Sequence, residues 1–252
     1  MKNILITGAS AGFGKAIAER LAKHSNVQLI LTARSEDKLK KVCQQINSET
    51  NTPVIPLIFD IRDFEATAAA VRSIPAEFQP IDILINNAGL ALETKFVHEG
   101  DLKDWEQMID TNIKGLLYIT RLISPQMVER REGQIINIGS ISSHDVYPGG
   151  NVYCATKHAV WALTKGMRMD LLPFDVKVTQ ISPGAAETEF SIVRFHGDTE
   201  RAAKVYDGFD PLVAEDIADM VEFVISRPKH VCINEIFVTA TAQFGNLIHR
   251  KS

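Results

Sequence analysis

The residues that decide the fold are 3–21, which read NILITGASAGFGKAIAERL. The apolar run Asn3–Thr7 predicts a short β-strand, while Phe13, Ile17 and Leu21 recur at the spacing of one helix face. A glycine-rich turn lies between the two patterns. Strand, turn and helix in this order predict the first unit of an alternating α/β sheet.

The turn reads TGASAGFG and contains Gly8, Gly12 and Gly14. Glycines allow a tight turn and let backbone N–H groups approach a pyrophosphate, which the positive end of the next helix also favours. A glycine cluster alone is weak evidence. Its position between a first strand and a first helix is the context that a dinucleotide-binding turn requires.

Six further apolar runs predict strands along the chain. They are Gln28–Thr32, Val54–Asp60, Ile81–Ile85, Gln134–Gly139, Lys177–Ile181 and Glu235–Val238. Helical patterns separate them, so we expect about seven parallel strands with helices on both faces of the sheet. This is a Rossmann-type, doubly wound α/β fold, predicted as a single domain over residues 1–252. Pro56 indicates that the third strand is irregular or lies at an edge.

Composition limits the classes of partner. The chain has 252 residues, of which 45% are hydrophobic, enough for a sizeable core. A formal charge of -4 provides no long-range attraction for nucleic acid or anionic lipid. The start MKNILITG is too short for a signal-peptide core, and no run approaches the ~18 apolar residues of a membrane span. We therefore expect a cytoplasmic protein with neither a nucleic-acid nor a membrane partner.

Cysteine and histidine spacing argue against a metal. Cys43, Cys154 and Cys232 lie far apart and form no C-x-x-C pair, which is typical of a reducing compartment. The seven histidines show no H-E-x-x-H or comparable spacing. We expect no metal site.

Arg34 follows the second predicted strand, about 20 residues after the glycine turn. Dinucleotide folds place an acidic residue there for the 2'-hydroxyl of NAD, or an arginine for the 2'-phosphate of NADP. The chain has no acidic residue at this strand end, and arginine can bind phosphate through two N–H groups. We predict NADP as the cofactor. The alternative is an ordinary surface arginine beside Ser35, a candidate cap of the next helix.

A second chemistry-bearing stretch runs from Ser140 to Lys157. Tyr153 and Lys157 lie four residues apart, so they share one face of a helix predicted over Asn151–Leu171. A free tyrosine has a pKa near ~10, and a nearby cation would favour its phenolate. Lys157 is placed to supply that cation, while Ser140 follows a predicted strand. Such a pair is also common on solvated helix faces, so its context has to decide.

Three other features of the chain call for an explanation. Asn112 lies inside a long helix predicted from Asp101 or Asp104, where a buried amide would need partners. The strand Ile81–Ile85 runs into Asn86-Asn87-Ala88-Gly89, whose small and amide residues suit a cofactor close to backbone. Residues 185–210 mix apolar and charged side chains without a clean period, and predict a mobile segment over a site.

Taken in order, TGASAGFG, NNAG, Asn112, Ser140, Tyr153-x-x-x-Lys157 and Pro183-Gly184 resemble the short-chain dehydrogenase/reductase family over nearly the whole chain. The resemblance implies that Tyr153 is the acid–base residue and that Ser140 binds the substrate oxygen. It implies that Lys157 lowers the pKa of Tyr153 and holds the nicotinamide ribose. Asn112 is similar to a family asparagine that holds a water in a proton relay.

The resemblance also implies the cofactor contacts. They are Gly8, Ser10, Gly12, Phe13, Gly14, Arg34, Asp60, Ile61, Asn87, Ala88, Gly89, Tyr153, Lys157, Pro183, Gly184, Ala186 and Thr188. The family often has valine where this chain has Ala186, so Thr188 is the firmer of these two assignments.

The segments WEQMIDTNIKGLLYITR, GGNVYCATK and ETEFSIVRFHGD look like those of the NADP-dependent 3-hydroxy acid dehydrogenase and serine 3-dehydrogenase group. This implies oxidation of a small 3-hydroxy acid such as serine, 3-hydroxypropionate or 3-hydroxyisobutyrate, or reduction of the 3-oxo acid, by a homotetramer. Within the substrate-binding segment 185–210, Arg194 is the predicted partner of the substrate carboxylate. A surface ion pair of Arg194 is the equal alternative. The loop Ile141–Pro148 departs from the group, and it leaves the preferred acid open.

Other functions remain to be weighed. Ser140, His144 and Asp145 are too close in sequence for a convincing hydrolase triad, and the chain lacks a G-x-S-x-G elbow. A non-catalytic NADP-binding regulator is disfavoured by the complete set of asparagine, serine, tyrosine and lysine. The stronger alternative is a broad-specificity carbonyl, sugar or acyl reductase.

Overall fold

The computed structural model describes residues 1–251. Strands and helices alternate along most of the chain. The strands are β1 (Lys2–Thr7), β2 (Val27–Ala33), β3 (Val54–Ile58), β4 (Ile83–Asn86), β5 (Gly133–Ile138), β6 (Val176–Pro183), β7 (Glu235–Val238), β8 (Gln243–Phe244) and β9 (Leu247–Ile248). The helices are α1 (Gly12–Leu21), α2 (Glu36–Glu49), α3 (Phe64–Arg72), α4 (Leu102–Ile109), α5 (Leu116–Arg130), α6 (Asn151–Leu171), α7 (Phe190–Arg194), α8 (Thr199–Lys204) and α9 (Ala214–Ile225).

Seven strands form one parallel sheet in the order β3-β2-β1-β4-β5-β6-β7. The seven predicted strands and the doubly wound fold are therefore confirmed. β3 lies at an edge, as Pro56 predicted, because a residue without an N–H is tolerated where one side of the strand has no neighbour.

Apolar side chains pack on both faces of the sheet. On one face, α1, α2 and α9 contribute residues such as Ile17, Leu39 and Val221 to a buried cluster. On the other face, α5 and α6 contribute Ile123 and Leu171. Each fully buried side chain of this size stabilises the fold by about 1.5–3 kcal/mol, which explains why the central strands contain short apolar runs.

Two helix boundaries have clear local causes. The helix after β3 begins at Phe64, because the Asp63 carboxylate accepts a hydrogen bond from the N–H of Ala66 and caps it. The long predicted helix is interrupted by a π-helical turn over Asp110–Gly115, which joins α4 to α5.

Two further differences lie near the carboxyl ends of the strands. The 185–210 segment contains the short helices α7 and α8, although no helical period was visible in it. The antiparallel pair β8–β9 was not predicted, because two-residue strands carry too little pattern to detect.

β1 and β4 are neighbours in the sheet, although β2 and β3 come between them in the chain. The order of strands reverses at this point, and open α/β sheets bind ligands in the crevice beyond the carboxyl ends of strands at such a reversal. Within residues 1–251, no helix has the length and apolar character needed to cross a membrane. All three cysteines are free thiols.

Candidate active site

A cleft of about 490 Å³ lies at the carboxyl ends of the strands. It brings together most of the residues predicted for cofactor and substrate. Those that line it are Gly8, Gly12, Phe13, Asn87, Ala88, Gly89, Ser140, Tyr153, Lys157, Pro183, Gly184, Ala186, Thr188 and Arg194. Six predicted residues do not line it, namely Ser10, Gly14, Arg34, Asp60, Ile61 and Asn112.

The glycine turn lines the cleft with Gly8, Ala11 and Gly12. Gly8 and Gly12 have φ values of 66° and 51°, which favour glycine. A Cβ added at Gly14 would lie 2.3 Å from the carbonyl oxygen of Gly8, so α1 packs against the turn only without a side chain there. The Asn87 amide donates to the carbonyl of Thr7 at 2.9 Å and fixes the turn to β4.

The amino terminus of α1 follows directly. Its N-cap is Ala11, and no side chain caps the first turn. The first N–H groups of a helix lack partners within the helix and carry its positive end. The glycine turn and this uncapped helix end together fit a pyrophosphate.

Arg34 is placed beside the end of β2, with its side chain half exposed. Its guanidinium lies 3.9 Å from Asp60, whereas Arg62 binds the same carboxylate at 2.6 Å. Burial tends to raise the pKa of Asp60, but hydrogen bonds from Arg62 outweigh burial and lower this pKa. Because Arg62 compensates the acid, the cation of Arg34 remains available to an anion.

The catalytic candidates approach the cleft from two elements. Tyr153 and Lys157 lie one turn apart on α6, and Ser140 follows β5. All three side chains are buried. The Ser140 hydroxyl accepts a hydrogen bond from the N–H of Ser142 at 3.1 Å, which fixes the oxygen.

Lys157 is a buried residue that lines the cleft. Its ammonium donates to the carbonyl of Ile138 at 3.0 Å and lies 6.0 Å from the centre of the Tyr153 ring. Burial lowers the pKa of Lys157 to about 8, because an ammonium is poorly solvated there.

Tyr153 has two cations near its ring, Lys157, which the sequence predicted, and Arg194, which it did not predict there. Burial raises the pKa of Tyr153, and the cation of Arg194 and the Ser140 hydroxyl oppose this rise. The Arg194 guanidinium lies 5.3 Å from the Tyr153 ring. The sequence had assigned the cation's effect to Lys157 alone.

Arg194 is surrounded by aromatic rings. Its guanidinium donates to the Tyr147 hydroxyl at 2.7 Å and lies 5.3 Å from the Phe190 ring. It forms no ion pair with any acidic residue in the range 1–251, so the surface ion pair is not formed. Its Nε is buried and has no hydrogen-bond partner in the part of the chain that the structure describes. A buried N–H group without a partner has lost its hydrogen bond to water, which destabilises the folded state. A bound acceptor would remove this penalty.

Asn112 lies in the π-helical turn behind the cleft. Its side-chain oxygen accepts from the N–H of Leu90, and its amide donates to the Leu90 carbonyl and the Thr156 hydroxyl. These bonds tie α6 to the chain after β4. A Cβ added at Gly89 would lie 3.3 Å from the Asn112 oxygen and 3.6 Å from the Lys157 nitrogen, so both groups border one spot. The water-holding role of Asn112 stays a prediction.

Two alternative sites, a hydrolase triad at Ser140, His144 and Asp145 and a metal site, find no support in residues 1–251. His144 binds Glu235 at 2.7 Å and packs edge-on against Trp161, so it is not paired with Ser140 in a triad. Across residues 1–251, no three side chains of the metal-binding types cluster as ligands would.

The family model described as short chain dehydrogenase matches residues 2–198. The chain belongs to the short-chain dehydrogenase family. Its relatives include a probable NADP-dependent dehydrogenase of Haemophilus influenzae, 48% identical, with 95% of this chain and 93% of the relative covered. An NADP-dependent 3-hydroxy acid dehydrogenase of Schizosaccharomyces pombe is 40% identical, with 99% and 97% covered.

Solved structures agree with this short-chain dehydrogenase assignment. The closed form of a serine dehydrogenase complexed with NADP+ superimposes with a TM-score of 0.91 and 42% identity, covering 98% of this chain and 99% of the other. The curated serine 3-dehydrogenase of Rhizobium radiobacter is 43% identical over 99% of this chain and 98% of its own.

Sequence patterns did not predict several residues that line the cleft of this short-chain dehydrogenase, chiefly Tyr147, Phe190 and Tyr206. One signal was present for Tyr147, the two glycines that follow Pro148. Gly149 has a φ of 77°, and a Cβ at Gly150 would lie 2.2 Å from the Tyr147 ring. The glycine pair thus lets this ring pack against the start of α6.

Proposed function

We propose that this short-chain dehydrogenase transfers hydride between NADP(H) and a small 3-hydroxy acid or the matching 3-oxo acid. Serine, 3-hydroxypropionate and 3-hydroxyisobutyrate are the candidate substrates. The observation that carries the proposal is the guanidinium of Arg194, which lies near the Tyr153 ring and has no carboxylate partner among residues 1–251.

The charges that line the cleft support an anionic substrate. Its charged lining residues among 1–251 are Lys157, Glu189 and Arg194, and Glu189 is exposed. The buried part of the cleft is therefore positive. Arginine binds a carboxylate through two parallel N–H groups, so Arg194 can orient the acid as well as attract it.

The cofactor end fits NADP. The glycine turn and the uncapped amino terminus of α1 would hold the pyrophosphate, and Arg34 would bind the 2'-phosphate. Bound NADP would accept the hydride from the alcohol carbon, or NADPH would return it to the carbonyl. The other predicted contacts, including Asp60, Ile61 and Thr188, belong to this proposal.

Tyr153 would take the proton from the substrate hydroxyl during oxidation and return it during reduction. Ser140 would donate a hydrogen bond to the same substrate oxygen and hold it beside the phenol. Arg194 and the Ser140 hydroxyl would favour the phenolate and oppose the rise that burial imposes on the pKa of Tyr153, while Lys157 would hold the nicotinamide ribose. Asn112 would position α6 and a relay water.

We propose that residues 185–210 form the substrate-binding segment and that the enzyme is a cytoplasmic homotetramer. The assembly follows from the group resemblance. An edge strand that exposes an aromatic ring suits a contact between copies, and Phe237 on β7 is half exposed.

The test is a screen of hydroxyl compounds by the absorbance of the reduced nicotinamide. We expect turnover with NADP and at least one of the three acids, and much weaker turnover with a neutral alcohol of equal size. Equal rates for acids and neutral alcohols would favour the broad-specificity reductase. Strong preference for NAD would contradict the interpretation of Arg34.

Tyr153→Phe separates an enzyme from a non-catalytic NADP-binding regulator. The variant keeps the ring but loses the proton-transferring hydroxyl, so we expect turnover to fall by at least about 100-fold with NADP affinity retained. Tyr118→Phe is the matched control, because Tyr118 lies on α5 against the ring of Phe64 and does not line the cleft. Activity that survives in Tyr153→Phe would contradict the mechanism.

A further inference from the structure

The Tyr147 hydroxyl accepts one hydrogen bond, but within the described part of the chain its own proton has no acceptor. Arg194 donates to its oxygen at 2.7 Å, and the hydroxyl donates to no group among residues 1–251. Burial raises the pKa of Tyr147, which keeps the hydroxyl protonated. A protonated phenol at the wall of a cleft therefore offers one unused hydrogen-bond donor.

Packing at one end and a hydrogen bond at the other fix the position of the Tyr147 side chain. The ring packs on the backbone of Gly150, whose N–H donates to the Tyr147 carbonyl at 3.0 Å. Arg194 lies 5.8 Å from the ring centre and bonds its oxygen. Both ends of the side chain are thus fixed, by the start of α6 and by α7.

Arg194 is held on its other side as well. Its main-chain carbonyl accepts a hydrogen bond from the N–H of Glu93 at 2.8 Å. The Nη2 atom of its guanidinium is used by Tyr147, whereas Nε has no partner. The guanidinium and the Tyr147 hydroxyl lie side by side and both still have N–H or O–H groups to donate.

Two adjacent donors suit an acceptor with two oxygens. A carboxylate is acceptor-only and can take hydrogen bonds from both residues at once, whereas an ester or alcohol lacks the charge that strengthens such bonds. We propose that Tyr147 is a specificity-determining residue, whose hydroxyl donates to the substrate carboxylate while it positions Arg194 against that carboxylate. This inference rests on the proposed function and adds to it the residue that selects acids.

The test compares Tyr147→Phe with the unaltered enzyme on 3-hydroxypropionate and on its neutral methyl ester. Phenylalanine keeps the ring on Gly150, so the fold is retained. We expect KM for the acid to rise about ten-fold, as for a lost hydrogen bond to a charged group, with kcat within about three-fold. KM for the ester should rise by a clearly smaller factor, about three-fold or less, because the hydrogen bond lost there is to a neutral group. Both substrates should stay within about two-fold in the control Tyr118→Phe.

A double-mutant cycle with Arg194→Lys provides the second readout. If both residues serve one carboxylate, the double variant should lose less affinity for the acid than the product of the two single losses. Independent, multiplicative losses would overturn the inference, and so would an equal loss for acid and ester in Tyr147→Phe.

The failure of this inference can be told apart from that of the proposed function. If the unaltered enzyme does not prefer the acid over the ester, the proposed function fails and the role of Tyr147 falls with it. If it prefers the acid and Tyr147→Phe keeps that preference, only the inference about Tyr147 fails.

Discussion

Lys157 is a charged residue that the fold buries in the cleft. Its ammonium is buried, and the only hydrogen bond that it makes among residues 1–251 is to the carbonyl of Ile138. A backbone carbonyl compensates less than water does, so burial lowers the pKa from 10.5 to about 8. Below pH 8 the folded protein must hold a buried ammonium. As pH rises from 8 towards 10.5, folded Lys157 loses its proton before unfolded Lys157 does, and the cost disappears.

The prediction concerns the free energy of unfolding of the cofactor-free protein and of Lys157→Met. Between about pH 7 and about pH 9.5, the unaltered protein should gain about 2 kcal/mol of unfolding free energy relative to the variant. The reason is that folded Lys157 loses its proton in this range, whereas the methionine of the variant has no proton to lose. Urea unfolding at the two pH values measures the difference.

Lys165→Met is the matched control, since it removes an exposed lysine from the same helix. A stability difference between Lys157→Met and the unaltered protein that is constant with pH would contradict the prediction.

At the scale of elements, α7 and α8 have five and six residues, too few to be stable alone. Contacts with the rest of the molecule must hold them. Glu93, in the chain after β4, contacts both helices. Its N–H donates to the Arg194 carbonyl, and its carboxylate binds Arg201 through two hydrogen bonds of 3.1 and 3.2 Å.

We predict that Glu93→Gln loosens the 185–210 segment without unfolding the protein. The loss of a partly exposed ion pair has a modest effect, so we expect KM for 3-hydroxypropionate to rise by no more than about five-fold. Hydrogen exchange of residues 190–204 should accelerate, because α7 and α8 are held by this contact.

Glu36→Gln breaks an exposed pair with Lys40 on α2 and serves as the control. If exchange of residues 190–204 is the same in Glu93→Gln and in the unaltered protein, Glu93 does not fasten the segment.

At the scale of the whole molecule, the cofactor and the fold stabilise each other. The glycine turn after β1 and Arg34 after β2 lie at the ends of neighbouring strands only in the folded sheet. A ligand that binds only the folded state raises stability by mass action, by about 2.7 kcal/mol at 100 times its Kd.

We therefore predict that NADP raises the Tm more than NAD does at equal concentration. Arg34→Gln should remove most of this difference by lowering the shift with NADP while leaving the shift with NAD, because only NADP has the 2'-phosphate. Thermal unfolding with each dinucleotide measures both shifts.

Arg72→Gln, at the exposed end of α3, is the control for the loss of one positive charge. Equal shifts by NAD and NADP in the unaltered protein would contradict the role of Arg34.

Much of this protein is determined by local sequence. Apolar runs of four to seven residues mark the strands, and Pro56 predicts that the third strand is irregular or at an edge, because burial and backbone donors are properties of each segment. Tyr153 and Lys157 share a helix face by spacing alone, and Ser140 follows a strand whose end lies beside that helix.

Only the tertiary structure decided which side chains meet across the cleft. Arg194 is 47 positions from Tyr147, and Glu93 is 108 positions from Arg201. No periodicity encodes such pairs, since the sheet and the packing of α7 and α8 bring them together. The sequence by itself therefore determined the sheet, the glycine turn and the serine, tyrosine and lysine of the site. The second cation beside Tyr153 and the tyrosine that holds it were decided by the fold, because their contacts join segments that are adjacent only after the chain has packed.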